Sequence, residues 1–394
     1  MDIHETVRTF TDFYRDHGHE LLSENTLIPP KGDESVLFTT SGMHHLTPYL
    51  LGRTHPQGRR LAGVQRCLRT TDLEEVGDSS HLTVFEMLGS WSLGDYGIGQ
   101  SLRWGYRLLC EGFGLRPEHL HVTVWGGDEQ VDRDTESLEI WQELGVPVEL
   151  TGEENWWSNG PIGPCGPDSE IFVWSGSGEP SGTPGTNPGW VELWNHVMMR
   201  YERLEDGSLI PLPQRSIDTG MGFERLLTFL QNTDSVYECD IFRPWQETIP
   251  RLWPLDEHEH RIVVDHLRSS MVMIGDGVLP SSNGRGYVLR RLLRRVLTIL
   301  WRQGGVLDDL PFDLYEHTLG HFGQLGQLEH ESGVTPEHVR RVILEEQQRF
   351  TKTLERGRKL LSRWPNGKVL DEESLRFLHE THGLPREVVE VLTA

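Results

Sequence analysis

The 394-residue chain is 36% apolar and 25% charged, and its 37 Lys and Arg face 60 Asp and Glu for a formal net charge of −23. These figures exclude wholesale disorder and count against a protein that wraps nucleic acid on a broad basic surface, so any RNA contact needs a local patch. No run of about 18 apolar residues exists, so no transmembrane helix is expected, and the length favours two domains.

The chain opens on an amphipathic segment in which Ile3, Val7, Phe10 and Tyr14 recur at helical spacing. Its mixed charge is unlike a secretory signal. Cys67, Cys110, Cys165 and Cys239 are scattered without a Cys-x-x-Cys pair, which fits a reducing, cytoplasmic setting and gives no zinc site. Strand-like runs follow at 36–39, 61–69, 83–93, 121–125, 169–174 and 191–201. In the last, Val191, Leu193, Val197, Met199 and Tyr201 alternate onto one face with Asn195 among them. The stretch SGSGEPSGTPGTNPG (175–189) reads as a flexible loop between two strands. Long strands joined by loops with few helices between them predict an antiparallel sheet.

After RPWQETIPRLWP (243–254) helical periodicity takes over, at 259–275, 286–303, 335–364 and 372–381. The expectation is an α+β chain: a sheet domain at 1–241, then a mostly helical domain at 242–394.

Three stretches carry chemistry. The first, VQRCLR (64–69), is joined by the polar turn TTDLEEVGDSSH to LTVFEMLG (82–89) and reads as a β-hairpin. It sets Arg69 on one strand against Phe85 and Glu86 on the next. A fixed guanidinium can grip phosphate or carboxylate and an aromatic ring can stack on a base, although a surface ion pair and a core phenylalanine satisfy the same spacing. In the second, SIDTGMGFER (216–225), a strand end runs through two glycines into a helix at 223–231. Glycines there let backbone approach a ligand, and a helix N-terminus favours anions. Arg225 in the first turn opposes the helix dipole, which suggests a polyphosphate partner. The third, NWWSNGPIGPCGPDSE (155–170), is a turn-rich loop feeding a strand, whose paired tryptophans either wall a small pocket or simply pack. Asp168 and Glu170 accept capping bonds or lie near a metal. The string DEHEHR (256–261) and the pair His44–His45 lack further ligands at structural-metal spacing.

These strings, together with LFTTSGM (37–43), FEMLGSWSLGDY (85–96), VELWNHVMM (191–199), DHLRSS (265–270), DGVLPSSNGRGYVLRRLLRR (276–295) and TLERG (353–357), resemble the N-terminal half of the alanyl-tRNA synthetases. That is a class II family with an antiparallel sheet flanked by helices and a helical domain behind it. The match extends over almost the whole chain. It implies ATP-dependent activation of alanine and transfer to tRNA, with ATP and Mg²⁺ required. By the same resemblance Arg69 and Arg225 are the catalytic residues. Arg69, Phe85, Met87, Gly222 and Arg225 bind ATP, with Phe85 under the adenine. Trp157, Val197, Asp218 and Gly220 form the alanine pocket, Asp218 taking the α-ammonium. Glu192 and Asn195 lie near Mg²⁺. In the helical domain Ser282, Asn283, Arg285, Arg290, Arg294 and Glu380 face the tRNA acceptor stem.

The chain also departs from the family pattern. The turn after Arg69 is about four residues shorter than the usual form and lacks its lysine and histidine. The base-reading asparagine and aspartate of the helical domain are replaced by Ser282, with Asn283 one step on, and by Glu380. The family's editing and C-terminal domains have no counterpart in the sequence, which implies a separate editing protein as a partner. The arginines at 285, 290, 291, 294, 295 and 302 form a stripe that serves RNA phosphates or pairs with the surplus acids. Two alternatives stay open beside a tRNA ligase. One is a ligase that hands the aminoacyl group to another acceptor such as a carrier protein, and the other is a non-catalytic paralogue.

Overall fold

The computed structural model describes residues 1–30, 36–324, 334–362, 371–384 and 386–393. The chain divides into two compact units, one of Met1–Arg69 with Phe85–Ile241 and one of Thr70–Val84 with Phe242–Ala394.

The first unit begins with helix α1 (Ile3–Asp16), capped by Asp2, whose carboxylate accepts from the Glu5 amide. Its strands are β1 (Glu20–Leu21), β2 (Arg60–Leu68), β3 (Val84–Ser92), β4 (Leu120–Trp125), β5 (Val148–Thr151), β6 (Trp156–Ser158), β7 (Gly163–Trp174), β8 (Trp190–Arg203) and β9 (Leu209–Gly222). Helices α2 (Thr47–Leu50), α3 (Ile98–Arg107), α4 (Thr135–Leu144) and α5 (Phe223–Gln231) lie between or after them. Among the described residues the sheet order is β1-β2-β3-β9-β8-β7-β4-β5, with β6 added to β7.

The centre of this sheet is antiparallel from β3 to β4. Both edges are parallel, β1 against β2 and β4 against β5, so the sheet is mixed and not wholly antiparallel. The reason at one edge is α4, a helical crossover that returns the chain in the direction it left. The expected strand at 36–39 is not a strand: the chain bends at Leu37 and Phe38, and Thr39 alone makes a rung on each side, Thr39 N to Leu27 O and Leu68 N to Thr39 O. The loop 175–189, expected to be flexible, is tied down. Trp174 and Trp190 donate their indole N–H groups to the carbonyls of Gly178 and Ser181, and Glu149 accepts from Thr183 Oγ1 and the Gly185 amide.

Strand β8 is buried on both faces in its middle. On one face Trp194 and His196 meet α1 and α3, with Phe10 beside Trp194 and Ser101 Oγ 2.9 Å from His196 Nδ1. Burial depresses His196 to about 3, so this imidazole is neutral. On the other face Val197 and Met199 join Met43, Leu46, Leu50, Leu61, Trp91 and Leu93 in a core cluster, with Trp157 packed against it.

The second unit is helical: α6 (Arg243–Leu252), α7 (Glu257–Gly275), α8 (Gly284–Arg302), α9 (Phe312–His321), α10 (Pro336–Leu361), α11 (Glu372–His382) and α12 (Arg386–Thr393). The last residues of the helix expected at 335–364 lie outside the described residues. Asp265, fully buried in α7, accepts from the Thr83 amide and hydroxyl and pairs with His266 Nδ1. Arg268 donates to Val84 O and sits between the rings of Phe242 and Phe322. Arg291 pairs with Glu74 and Arg295 donates to Leu73 O. The polar turn read as part of a hairpin is thus folded with α7 and α8.

A Cβ built on Gly166 in β7 would lie 1.9 Å from the Met198 carbonyl oxygen, which is backbone of a central strand and cannot step aside. Gly166→Ala is therefore expected to destabilise the chain by about 3 kcal/mol or more, at the upper end of overpacking costs. Urea unfolding against the unsubstituted chain measures it.

Candidate active site

Register fixes which side chains share the open face of the sheet. Trp91 on β3 lies opposite Asp218 on β9, Asp218 opposite Val197 on β8, and Val197 opposite Asp168 on β7. Two residues along, Gly89, Gly220, Asn195 and Glu170 form a parallel row, and a further step pairs Met87 with Gly222. Directly opposed residues point the same way. The expected positions Met87, Asn195, Val197, Asp218, Gly220 and Gly222 therefore share one face. Phe85 lies on it by alternation, Arg69, just past the end of β2, sets its guanidinium by the Phe85 ring, and Trp157 reaches it through the core cluster.

Glu192 arrives there by a different route. Simple alternation from Asn195 would give Val191 and Leu193 the open face. However, β7 and β8 slip by one residue between Ile171 and Phe172, so that Ile171 faces Trp194 while Phe172 faces Glu192. This bulge leaves Leu193 over and turns Glu192 to the open side. The uninterrupted alternation read from sequence is corrected here.

The ionisable groups fall into two sets. At one end Arg69 places its guanidinium 5.2 Å from the Phe85 ring centroid and donates Nε to Thr40 O at 3.3 Å. Arg225, in the first turn of α5 just past Gly222, donates to Glu192 O at 3.0 Å and stands 3.6 Å from its carboxylate. At the other end Asp168 and Asp218 are buried and Glu170 is half-buried. Asp168 accepts from Asn155 Nδ2 at 2.8 Å and Asn195 Nδ2 at 3.1 Å, and burial pushes it up to about 7. Glu170, accepting from Thr123, is raised by burial and then by Glu192 and Asp168. Asp218 accepts from the Trp91 indole at 2.6 Å, and burial raises it to about 7 as well. Neither Asp168 nor Glu170 caps a helix.

A Cβ at position 220 would stand 2.4 Å from Met87 Sδ, so a larger residue there would push the Met87 side chain aside. The adjacent tryptophans of β6 part company. Trp156 packs with Trp125 and Tyr201, while Trp157 goes to the site face. Trp91, Asn155 and Thr40 were not singled out from sequence. The signal available was a tryptophan two positions after a glycine in a strand, which does not name its partner across the sheet.

Asn195 Oδ1 is buried without a hydrogen-bond partner, and the neighbouring donors are all oxygen, a chemistry suited to a hard cation. Among the described residues no group of three or more His, Cys, Asp or Glu is arranged to hold a metal by itself. A cation here would take one or two protein ligands and complete its shell with phosphate and water.

In the helical unit Ser282 and Asn283 are exposed in the turn before α8, Arg285 lies in its first turn, and Glu380 is exposed on α11. Arg290 and Arg294 converge on the fully buried Glu346 at 3.6 and 3.0 Å, and Arg349 stands 3.6 Å from its second oxygen. These two arginines therefore have partners among the acids of their own unit.

A family model described as tRNA synthetases class II (A) matches residues 5–394. The alanine–tRNA ligase of Borrelia hermsii is 37% identical over 420 residues, covering 100% of this chain and 69% of that protein. The chain belongs to the alanine–tRNA ligase family of the class II synthetases. Family members from Rubrobacter xylanophilus and Treponema denticola are 39% and 43% identical, over 99% and 75% of this chain and 47% and 52% of their own. The chain thus spans between about half and about two thirds of the length of these family members. The apo histidyl-tRNA synthetase of S. aureus, a solved structure, covers 60% of the chain at 12% identity with a TM-score of 0.38, a likeness too slight to argue from. No helix of the described residues is long and apolar enough to cross a membrane.

Removing the charge at the centre of the arginine cluster leaves three guanidinium groups crowded without their buried counter-ion. Glu346→Gln is expected to cost about 3 kcal/mol in chemical denaturation. Glu345→Gln, on an exposed pair one residue away, is expected to change it by less than about 1 kcal/mol.

Proposed function

We propose that this chain condenses alanine with ATP to alanyl-adenylate and transfers the alanyl group to tRNA. The observation that carries the reading is Asp218, a buried carboxylate beside Val197 and Trp157, on the same open face as Arg69 and Phe85. The Met87–Gly222 and Trp91–Asp218 rows are four residues apart, roughly 13 Å at about 3.3 Å per residue, which is room for a nucleotide along the strands.

In this reading alanine enters with its ammonium on Asp218, and Val197 and Trp157 limit its side chain. One oxygen of its ionised carboxylate attacks the α-phosphorus. The new acyl–phosphate bond forms as the bond to the β-phosphate breaks, and pyrophosphate leaves. No general base is needed. Arg69 neutralises charge growing on the α-phosphate and Arg225 holds the tail, so positioning and electrostatics carry the rate. Phe85 offers its ring to adenine. Glu192 and Asn195 Oδ1 would hold Mg²⁺, which when bound neutralises phosphate charge. A terminal ribose hydroxyl of tRNA then attacks the acyl carbon and AMP departs. Ser282, Asn283, Arg285 and Glu380 are the proposed RNA contacts, while Arg290 and Arg294 are paired to Glu346. The two domains proposed are 1–241, apart from the turn 70–84 that folds with the helices, and 242–394. Four free cysteines, three of them buried, support a reducing, cytoplasmic setting.

Alanine-dependent exchange of pyrophosphate into ATP, run beside charging of an acceptor hairpin, tests the reading. Arg69→Ala is expected to lower exchange by about 10²–10³-fold with little change in unfolding midpoint. Exchange without charging would move the acceptor away from tRNA, and no exchange with any amino acid would overturn the reading. The ammonium needs an ionised Asp218, so KM for alanine is expected to rise about tenfold per pH unit below about 7 and to level off above it. In Asp218→Asn this pH dependence disappears and KM stays high throughout.

A further inference from the structure

The backbone is clamped on both sides of Phe85. Before it, Thr83 and Val84 fold with the helices, and α7 holds both. Asp265 accepts from the Thr83 amide at 2.8 Å and from the Thr83 hydroxyl, Ser269 Oγ accepts from the Val84 amide at 3.1 Å, and Arg268 donates to the Val84 carbonyl at 2.7 Å. After it, both carboxylate oxygens of Glu224 accept from the Glu86 amide, at 3.2 and 3.0 Å. Thr83, Glu224, Asp265, Arg268 and Ser269 are all buried, so water does not compete for these bonds. Asp265, Arg268 and Ser269 are spaced i, i+3 and i+4 on α7, so one face of a single helix grips two consecutive residues. The ladder of β3 with β9 begins only at Met87. On that side the chain from Thr83 to Glu86 is therefore fixed by side chains and not by strand pairing.

Building on the proposed function, we infer that Asp265, Arg268 and Ser269 are positioning residues for the activation step, setting the pitch of the Phe85 ring on which adenine stacks. With residues 83, 84 and 86 held, the peptide planes on either side of Phe85 cannot turn, and its ring keeps one attitude 5.2 Å from the Arg69 guanidinium. Releasing the plane between Val84 and Phe85 lets the ring swing, and adenine swings with it. The α-phosphate at the far end of the nucleoside then misses Arg69, and displacements of about 1 Å in a reacting group cost about 10²-fold. The alanine side of the site does not share this dependence. Asp218 and Val197 are fixed by the β8–β9 ladder, in which α7 has no part. Loosening the clamp should therefore weaken the use of ATP and leave the binding of alanine alone. Helix α7 then serves a step that needs no RNA.

The test is Ser269→Ala and Thr83→Val in the full chain, each of which removes one hydroxyl at little change in volume, read by alanine-dependent pyrophosphate exchange. In both, KM for ATP is expected to rise at least fivefold while KM for alanine stays within twofold. Thr83→Ser keeps the hydroxyl and is expected to keep KM for ATP, a rescue that loss of packing would not give. Leu378→Ala trims a buried side chain of α11, a helix that supplies none of these bonds, and shows what loss of stability does alone. An unchanged KM for ATP in both variants, a rise shared with KM for alanine, or an equal rise in Leu378→Ala overturns the inference and leaves the activity established. So does an equal rise in Thr83→Ser and Thr83→Val. Absence of alanine-dependent exchange in the unsubstituted chain overturns the functional reading and the inference with it. Should one of the two variants fail to fold, the other decides by the same split between the two substrates.

Discussion

The site depends on keeping a carboxylate in a place where water would not keep it charged. Asp218 sits in the middle of a three-strand register, between Trp91 and Val197, with a core cluster at its back. Moving β9 by one residue would send Asp218 to the face packed on α1 and α3, where His196 and Trp194 lie, and moving β3 or β8 would do the same to Trp91 or Val197. The fold therefore has to hold β3, β9 and β8 in one alignment before the pocket exists at all. The long continuous pairings of those strands, and the glycines that admit Met87 and Trp91 between them, are how it does so.

Charge on this face is graded. Guanidinium groups gather where Phe85 and Gly222 lie, and carboxylates gather toward Asp168 and Asp218. The bulge at Leu193 lets Glu192 belong to both ends, since it reaches Arg225 and also raises Glu170. A substrate that is anionic at one end and carries an ammonium at the other meets matching charge along its length. That grading decides orientation more than affinity, because the half-buried, solvent-reached Arg225–Glu192 pair contributes little by itself.

Much of this was legible in the residues. The strands at 61–69, 83–93 and 191–201 and the helix at 223–231 were marked by alternation, glycine junctions and apolar spacing, and each appears within a residue or two of its expected bounds. The short strands β1, β5 and β6 were not, because two to four residues carry too little periodicity to stand out. The contact of Trp91 with Asp218 spans 127 positions and depends on strand order, which local spacing does not encode. The bulge at Leu193 was hidden for a related reason. An apolar residue at a bulge preserves the alternating pattern in the sequence while the backbone breaks it. In the helical unit the arginine stripe admitted two readings, and Glu346, some fifty positions away, was needed to see that Arg290 and Arg294 have a buried acid to bind.

The segment Thr70–Val84 has a consequence for how this protein can be taken apart. It leaves the sheet after Arg69 and re-enters it at Phe85, yet it folds with the helices, filling Asp265 through Thr83 and meeting Arg268, Arg291 and Arg295 through Val84, Glu74 and Leu73. No single cut in the polypeptide separates the two units. A fragment beginning at Phe242 would carry a fully buried aspartate and a buried arginine stripped of the groups that neutralise and seat them. The helical half is thus interlaced with the catalytic half in covalent order, and an insertion or deletion in that turn would be felt as a wound in the helices as well as in the strands it joins.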